Sequence, residues 1–152
     1  MNIDFENYEY DDAWFGKEEV SFNGHTYDVD VQIDSDDEDT IPEDAKEVLS
    51  DLLNDLENYT SKIADSILEY YNDRRDELGY SDEENPDYPE VDSAEEILDT
   101  LTLIGITIPE QDDYDDTAFS LVFDCTWDKE NGVGVCFEGG EVEDVGFQGI
   151  AL

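Results

Sequence analysis

The side chains that could do chemistry in this chain are mostly carboxylates. Asp and Glu account for 46 of the 152 residues and Lys and Arg for six, which leaves a formal net charge of −40. The acids form dense runs at residues 34–39 and 112–116. A surface with this charge favours binding to a strongly positive partner, or mimicry of a polyanion, because its field attracts and steers basic groups.

Catalysis by these carboxylates has no support in the sequence. Acid–base catalysis needs two groups whose environments drive their pKa values apart, and a chain with acids everywhere singles out no pair. His25 is the only histidine and follows a predicted turn at Asn23-Gly24, so we expect a solvated hairpin residue. The chain has no nucleophile elbow, Walker loop or dinucleotide-binding motif. We therefore predict a protein that is not an enzyme and needs no cofactor.

Calcium must be considered wherever aspartates cluster, because it prefers oxygen ligands. Counted from Asp34, the EF-hand template needs Gly at its sixth position and Glu at its twelfth, but the chain has Asp39 and Ala45 there. Counted from Asp112, the last position is Phe123. We therefore predict no dedicated calcium site.

The two cysteines are expected to be reduced thiols. Cys125 alternates in step with the apolar residues of its predicted strand, whereas Cys136 falls out of step with those of the next strand. Without a bulge, the two side chains then face opposite sides of the sheet and cannot pair. Two cysteines and one histidine are also too few for a zinc site of four nitrogen or sulfur ligands. Reduced thiols fit a reducing compartment.

The composition indicates a folded domain despite the charge. Highly charged chains poor in apolar residues stay disordered, but here hydrophobic residues make up 38% and aromatic residues 12% of the chain, in periodic blocks. A protein from a salt-saturated cytoplasm is a second alternative, although such chains favour Ala and Val, and this one is rich in Ile, Asn and Tyr. The length suits one domain with its own core.

Neither a membrane span nor a secretory signal is visible. No stretch approaches the roughly 18 consecutive apolar residues that a transmembrane helix needs. The N-terminus lacks both the basic and the apolar region of a signal peptide. We therefore expect a cytoplasmic protein without membrane contact.

The first predicted element is a β-hairpin of residues 14–22 and 25–33 around Asn23-Gly24, because Asn-Gly between β-prone runs is a strong hairpin signal. In its second strand, apolar residues alternate with polar ones that include Asp28 and Asp30. One face of this strand should therefore be apolar and the other acidic.

A long helix should follow. Thr40 and Glu43 form a predicted capping box, and Pro42 is expected in the first turn. Apolar residues then recur every three or four positions almost to Gly79, which lays a core stripe along one side. Nearly 40 residues is long for one helix, so a break near residues 58–60 is an open alternative.

The remaining pattern completes an α+β domain. A loop with two prolines is followed by a short helix at residues 94–101, capped by Ser93, and by an apolar stretch at residues 103–108. A β-meander is predicted from strands at residues 118–126, 133–137 and 141–145. We expect a single domain, residues 1–152, in which an antiparallel sheet made of the N-terminal hairpin and the C-terminal meander packs against the long helix.

The meander also carries a resemblance. Residues 123–135, FDCTWDKENGVGV, and 140–146, GEVEDVG, resemble the signature C-T-W-D-x-E-H-G-x-G-V and the G-x-V-x-x-V-G strand of an uncharacterised bacterial domain family. The long helix of that family ends in a tyrosine pair, matched by Tyr70-Tyr71, and Asn131 replaces its usual histidine. The resemblance covers about two thirds of the chain and implies no activity. By context alone, domains of this kind look like immunity proteins of toxin systems.

Three functions remain open from the sequence. The leading interpretation is a stoichiometric, immunity-type inhibitor that neutralises a basic partner, such as a nucleic-acid-targeting toxin, by charge complementarity. A DNA mimic that blocks a DNA-binding protein is the second, and a plain acidic scaffold domain is the third. In each case we expect no direct contact with nucleic acid, because a net charge of −40 repels phosphate.

The predicted contact surface consists of the acidic segments and two tryptophans. We expect three acidic segments to lie along one side of the sheet. For Trp14 an N-terminal strand that pairs into the sheet is the competing interpretation, and for Trp127 it is a structural position over its own hairpin. The predicted partner-binding residues are Trp14, Asp28, Asp30, Asp36, Asp37, Asp39, Asp112, Asp113, Asp115, Asp116, Trp127, Asp128 and Glu130.

Overall fold

The computed structural model describes residues 5–22, 24–77, 93–111, 114–127 and 132–148. Within these residues, one sheet contains seven strands and its strand order follows the chain. The strands are β1 (Glu9–Tyr10), β2 (Trp14–Phe22), β3 (His25–Ile33), β4 (Leu101–Ile108), β5 (Ala118–Cys125), β6 (Val133–Glu138) and β7 (Glu141–Gly146). The α-helices are α1 (Glu43–Asp55), α2 (Thr60–Glu77) and α3 (Ala94–Leu98).

The sheet is mostly antiparallel, with one parallel pair. β3 and β4 run in the same direction, with Val31 opposite Ile106 and Ile33 opposite Ile108. A parallel neighbour needs a crossover connection, which the helical segment between the two strands supplies. The expectation of a purely antiparallel sheet is therefore corrected at this pair.

The N-terminal hairpin is confirmed, with strands at the predicted bounds. β2 and β3 pair in register from Trp14 opposite Ile33 to Phe22 opposite His25. Gly24 has a φ of 76°, the left-handed conformation that a tight hairpin turn requires. Asn23 lies outside the described residues.

The long helical segment is broken where the sequence left that alternative open. α1 ends at Asp55, a 3₁₀ turn spans Leu56–Tyr59, and α2 begins at Thr60. Apolar residues of both helices, among them Leu49 of α1 and Ile63 of α2, belong to the core. The predicted end near Gly79 and the loop with two prolines lie outside the described residues.

The predicted capping box at the start of α1 is wrong. The N-cap is Pro42, without a side-chain capping bond, and the helix begins at Glu43. The Thr40 hydroxyl instead donates a hydrogen bond to Asp37 Oδ2 over 3.1 Å. Thr40 belongs to the turn at Asp37, two residues before the N-cap, so its hydroxyl is not at the capping position.

The second predicted cap is confirmed, but the helix is shorter than expected. Ser93 Oγ accepts a hydrogen bond of 3.3 Å from the backbone N–H of Glu96, and α3 ends at Leu98. Leu101, assigned to this helix from the sequence, is the first residue of β4. Pairing with Cys125 of β5 draws Leu101 into the sheet.

The core lies between the helices and one face of the sheet. Ile63 and Ile67 of α2 are fully buried, and the ring of Tyr71 meets that of Trp127 edge-on, with centroids 4.9 Å apart. Trp127 is only 5% exposed, and its Nε1 donates a hydrogen bond of 3.0 Å to Thr100 Oγ1. The long helical segment therefore covers the sheet, as the sequence predicts.

Both cysteines are thiols that form no disulfide, as expected. Cys125 belongs to the buried core, whereas Cys136 is half-buried opposite Ser120 of β5 and Asp144 of β7. Ser120 stands between Phe119 and Leu121, which belong to the core, so Cys136 points to the other face of the sheet.

Candidate acidic binding surface

Two acidic loops leave the sheet at the same end. Because β3 and β4 are parallel, their C-terminal residues Ile33 and Ile108 are neighbours. The backbone N–H of Asp34 donates a hydrogen bond of 2.8 Å to the carbonyl oxygen of Ile108, which joins the starts of the two loops. The loop that contains Asp36, which we call the first acidic loop, and the loop that contains Asp115, which we call the second, therefore begin side by side.

Two turns reach the same end. Trp14 pairs with Ile33, so the turn between β1 and β2 lies next to the first acidic loop. Thr117 accepts a hydrogen bond of 2.8 Å from the backbone N–H of Gly139, so the turn between β6 and β7 lies next to the second loop. We call this part of the molecule the acidic end. Its exposed acids among the described residues include Asp11, Asp12, Asp36, Asp37, Glu38, Asp39, Glu110, Asp115 and Asp116.

Asp37 shapes the first acidic loop from within. Its carboxylate accepts hydrogen bonds from the backbone N–H groups of Asp39 at 2.9 Å and Thr40 at 3.2 Å, besides the Thr40 hydroxyl. The backbone N–H groups of Asp39 and Thr40, and then that hydroxyl, lower the pKa of Asp37. Asp37 is therefore a structural acid as well as an exposed charge.

Two aromatic residues hold this loop against the sheet. Trp14 Nε1 donates a hydrogen bond of 2.9 Å to the carbonyl oxygen of Asp37, and the Tyr10 hydroxyl donates one of 3.0 Å to that of Ser35. The rings of Tyr10 and Trp14 meet edge-on at 5.4 Å. Trp14 is half-buried, so it fixes the position of the acidic loop and offers only part of its ring to a partner.

The pKa of Tyr10 reflects the negative charges around it. Desolvation and then the negative charges of Asp12, Asp36, Glu38 and Asp37 raise the pKa of Tyr10. These four carboxylates come from two segments separated in the chain, so the fold has gathered them. Asp12 and Glu38 are members of this surface that the sequence prediction did not include. Glu38 lies within the acidic run at residues 34–39, and Asp12 lies two residues before Trp14.

Asp28 and Asp30 lie apart from the acidic end. Both are exposed on β3, on the face of the sheet opposite the helices. Asp30 is three residues from the end of its strand, a distance of about 10 Å. It lies 3.8 Å from Lys17 Nζ, and both side chains are about 80% exposed, so this ion pair adds little stability.

The other predicted residues divide into two groups. Trp127 is a core residue, which corrects its assignment to the partner surface, because its ring is enclosed beneath α2. Asp112, Asp113, Asp128 and Glu130 lie outside the described residues. The strand ends that flank the last two, in β5 and β6, are at the end of the sheet opposite the acidic end.

Two further properties bear on the kind of site. Within the described ranges, no three His, Cys, Asp or Glu side chains are grouped so that they could hold a metal ion. No helix in the described part of the chain is both long and apolar enough to cross a membrane.

Comparison with known proteins places the chain in a family. No curated protein matches the sequence, and no solved structure matches it. The profile of the Domain of unknown function DUF6985 matches residues 4–152. This match agrees with the resemblance of the meander to an uncharacterised family at the level of the family alone. The chain therefore belongs to the DUF6985 family, whose description assigns no function.

Proposed function

We propose that the protein is a non-enzymatic binding protein, a stoichiometric inhibitor of the immunity type that neutralises a basic partner. The partner class is a protein with a Lys- and Arg-rich, nucleic-acid-binding cleft, such as a nucleic-acid-targeting toxin. Carboxylates of the acidic end would occupy the positions that phosphates take in that cleft. The charge of the complex would also keep nucleic acid away.

The observation that carries this proposal is the ordered convergence of two acidic loops. The backbone of the first loop is held by the turn at Asp37 and by the bonds from Trp14 and Tyr10. The second loop is held by the hydrogen bonds between the Gln111 side chain and the backbone of Ala118. A preorganised surface loses less conformational entropy on binding than a flexible acidic tail does. An acidic scaffold domain needs no such arrangement, because charge spread over any surface keeps a protein soluble.

Charge complementarity acts mainly on the rate of encounter. Steering by a patch of one sign raises association rates by about tenfold to a thousandfold at low salt, and screening removes the effect. Affinity then depends on a few desolvated contacts near the centre of the interface. We therefore expect rapid, salt-dependent association.

A pull-down from the native organism, followed by mass spectrometry, should recover a basic protein that forms an equimolar complex. Association kinetics then test the surface with Asp36→Asn/Glu38→Gln/Asp39→Asn, which spares the structural Asp37. We expect the association rate to fall about tenfold at low salt.

The matched control is Glu47→Gln/Asp51→Asn/Asp55→Asn, which neutralises three exposed acids of α1. It removes the same charge, so a general field effect would slow both variants equally. Equal rates for both variants and the native protein would contradict the proposed surface. Capture of several unrelated DNA-binding proteins would instead indicate a DNA mimic.

A further inference from the structure

A groove separates helix α2 from strand β7. It has a volume of about 820 Å³, with α2 along one wall and the whole of β7 along the other. Lys62 Nζ at one end donates hydrogen bonds of 2.7 Å to the carbonyl oxygen of Gly140 and 2.9 Å to Glu141. At the other end, the Arg74 guanidinium lies 5.1 Å from the centre of the Phe147 ring. Helix and strand therefore run in the same direction along the groove.

The groove follows the edge of the sheet that β7 forms among the described residues. Among the described residues, β7 pairs only with β6 and stands last in the strand order. None of the described residues that line the groove belongs to β6, so the groove lies on the side of β7 away from its partner strand. Backbone N–H and C=O groups on such an edge can pair with an added strand. We call this feature the edge groove.

A row of carboxylates faces the edge across the groove. Asp65, Glu69 and Asp73 are exposed residues of α2 that line the groove, at intervals of four positions. Four helical residues span about 6 Å along the axis. Two residues of an extended strand span about 6.6 Å, nearly the same distance. Alternate side chains of a strand added to β7 would therefore meet successive carboxylates of this row.

We propose that the edge groove binds an extended segment of polypeptide as an additional strand on β7, with Lys or Arg at alternate positions directed to Asp65, Glu69 and Asp73. This inference rests on the proposed function for the charge of the partner, and it adds the mode of binding and the sequence pattern. Main-chain hydrogen bonds to β7 provide affinity, and the carboxylate row selects the side chains.

The charge of the edge decides which chain can occupy it. Glu143 and Asp144 add two negative charges to the edge strand β7, and Lys62 is already bound to Glu141. Acids on an edge strand oppose pairing with another acidic chain. A second copy of this protein carries the same charge of −40 and is therefore disfavoured. A basic strand meets attraction from both walls instead.

An irregularity in the pairing of β6 with β7 limits where a strand can be added. The register shifts between Cys136 and Phe137. Val142 and Asp144 therefore pair with β6, whereas Glu143 has no opposite residue. Bulges of this kind bend an edge strand and are one way in which proteins prevent unwanted pairing. The uninterrupted part of the edge, from Asp144 to Gly146, is therefore where an added strand pairs best.

Synthetic peptides test the pairing and the spacing. The probe is a short blocked peptide with three lysines at alternate positions and threonines between them, and the comparison peptide has the same composition with its lysines adjacent. We expect the alternating peptide to bind about tenfold more tightly, as measured by fluorescence anisotropy, because three exposed ion pairs add up to about that factor. Equal binding would overturn the proposed spacing.

Two N-methylated forms of the alternating peptide test strand addition. Successive N–H groups of a strand point to opposite edges, so methyl groups on one set of alternate residues block pairing with β7 and those on the other set do not. We expect one form to lose binding by at least about tenfold and the other to stay within about twofold of the parent peptide. Equal affinity of the two forms would show that no strand is added.

Variants then locate the contact. Asp65→Asn/Glu69→Gln/Asp73→Asn should weaken binding of the alternating peptide about tenfold. Glu47→Gln/Asp51→Asn/Asp55→Asn on α1 has the same spacing and removes the same charge, but its residues are not among those that line the groove. We expect at most about a twofold effect from it, through the screened long-range field. An equal loss in both variants would refute the edge groove as the site.

The two proposals can fail separately. If a basic protein binds through the acidic end while both N-methylated peptides bind alike, the edge groove is refuted and the proposed function stands. If no basic protein is recovered but one N-methylated peptide selectively loses binding, the groove is a strand-binding site and the immunity-type function is refuted.

Discussion

The two tryptophans mark opposite ends of the sheet, and their surroundings differ. Trp127 is enclosed by apolar and aromatic groups and donates its N–H to the Thr100 hydroxyl. Trp14 is half-buried and donates its N–H to a backbone carbonyl in the acidic loop. The first ring stabilises the core, whereas the second positions charge. A chain with so many acids can thus fold because its apolar side chains are buried in the core while its carboxylates lie at the surface.

Of the predicted effects, removal of the buried Trp127 ring should be the largest and should lower the stability of the fold. Trp127→Ala leaves a cavity beneath α2 and should lower the free energy of unfolding by about 3–5 kcal/mol, as measured by urea denaturation. Trp127→Phe, which keeps an aromatic ring against Tyr71, serves as the control and should lose less. A loss below about 1 kcal/mol for the alanine variant would contradict the core position of Trp127.

Salt should affect the acidic end more than the Trp127 end. Screening over a Debye length of about 8 Å at 0.15 M reduces repulsion among the exposed acids, so the melting temperature should rise by several degrees from low to moderate salt. Hydrogen exchange should show the larger gain in protection at residues 35–40 and the smaller gain at residues 119–125. A melting temperature that falls steadily over this range would show that the charges are paired instead.

Removing the half-buried ring should cost less stability but alter the loop. Trp14→Ala loses part of an apolar surface and one hydrogen bond, so we expect roughly 1–2 kcal/mol of destabilisation. The backbone N–H groups of Asp39 and Thr40 should exchange faster, because the loop is no longer held at the Asp37 carbonyl. Trp14→Phe keeps the ring and should show the faster exchange with a smaller loss of stability. Unchanged exchange in both variants would refute the positioning role.

The smallest effect concerns the titration of one carboxylate. Hydrogen bonds from Asp39 and Thr40 lower the pKa of Asp37 below its ordinary value of 3.8. Since the folded-state pKa is depressed, its contribution to loop stability is present above the unfolded-state pKa and is lost as the pH falls through the folded-state pKa. Carbon NMR should therefore give a midpoint below 3.8 for Asp37. A midpoint at or above that value would contradict the loop geometry.

Local patterns in the sequence determined several features correctly. The hairpin follows from Asn23-Gly24 between two alternating runs, because turn chemistry and side-chain period act over a few residues. The cap at Ser93 follows from the spacing of three residues between Ser93 and Glu96. The placement of the two cysteines on opposite faces of the sheet follows from the alternation of side chains along a strand. The net charge of −40 likewise follows from the sequence alone.

Tertiary structure alone decided how these pieces meet. The parallel pairing of β3 with β4 brings the acidic loops together, and it depends on contacts between residues more than 70 positions apart. The surroundings decided other outcomes: Thr40 belongs to the turn at Asp37 and not to the cap of α1, and the tyrosines of α2 pack against Trp127. Local propensity cannot determine such choices, because each depends on the free energy of the whole packed chain rather than on the nearest few residues.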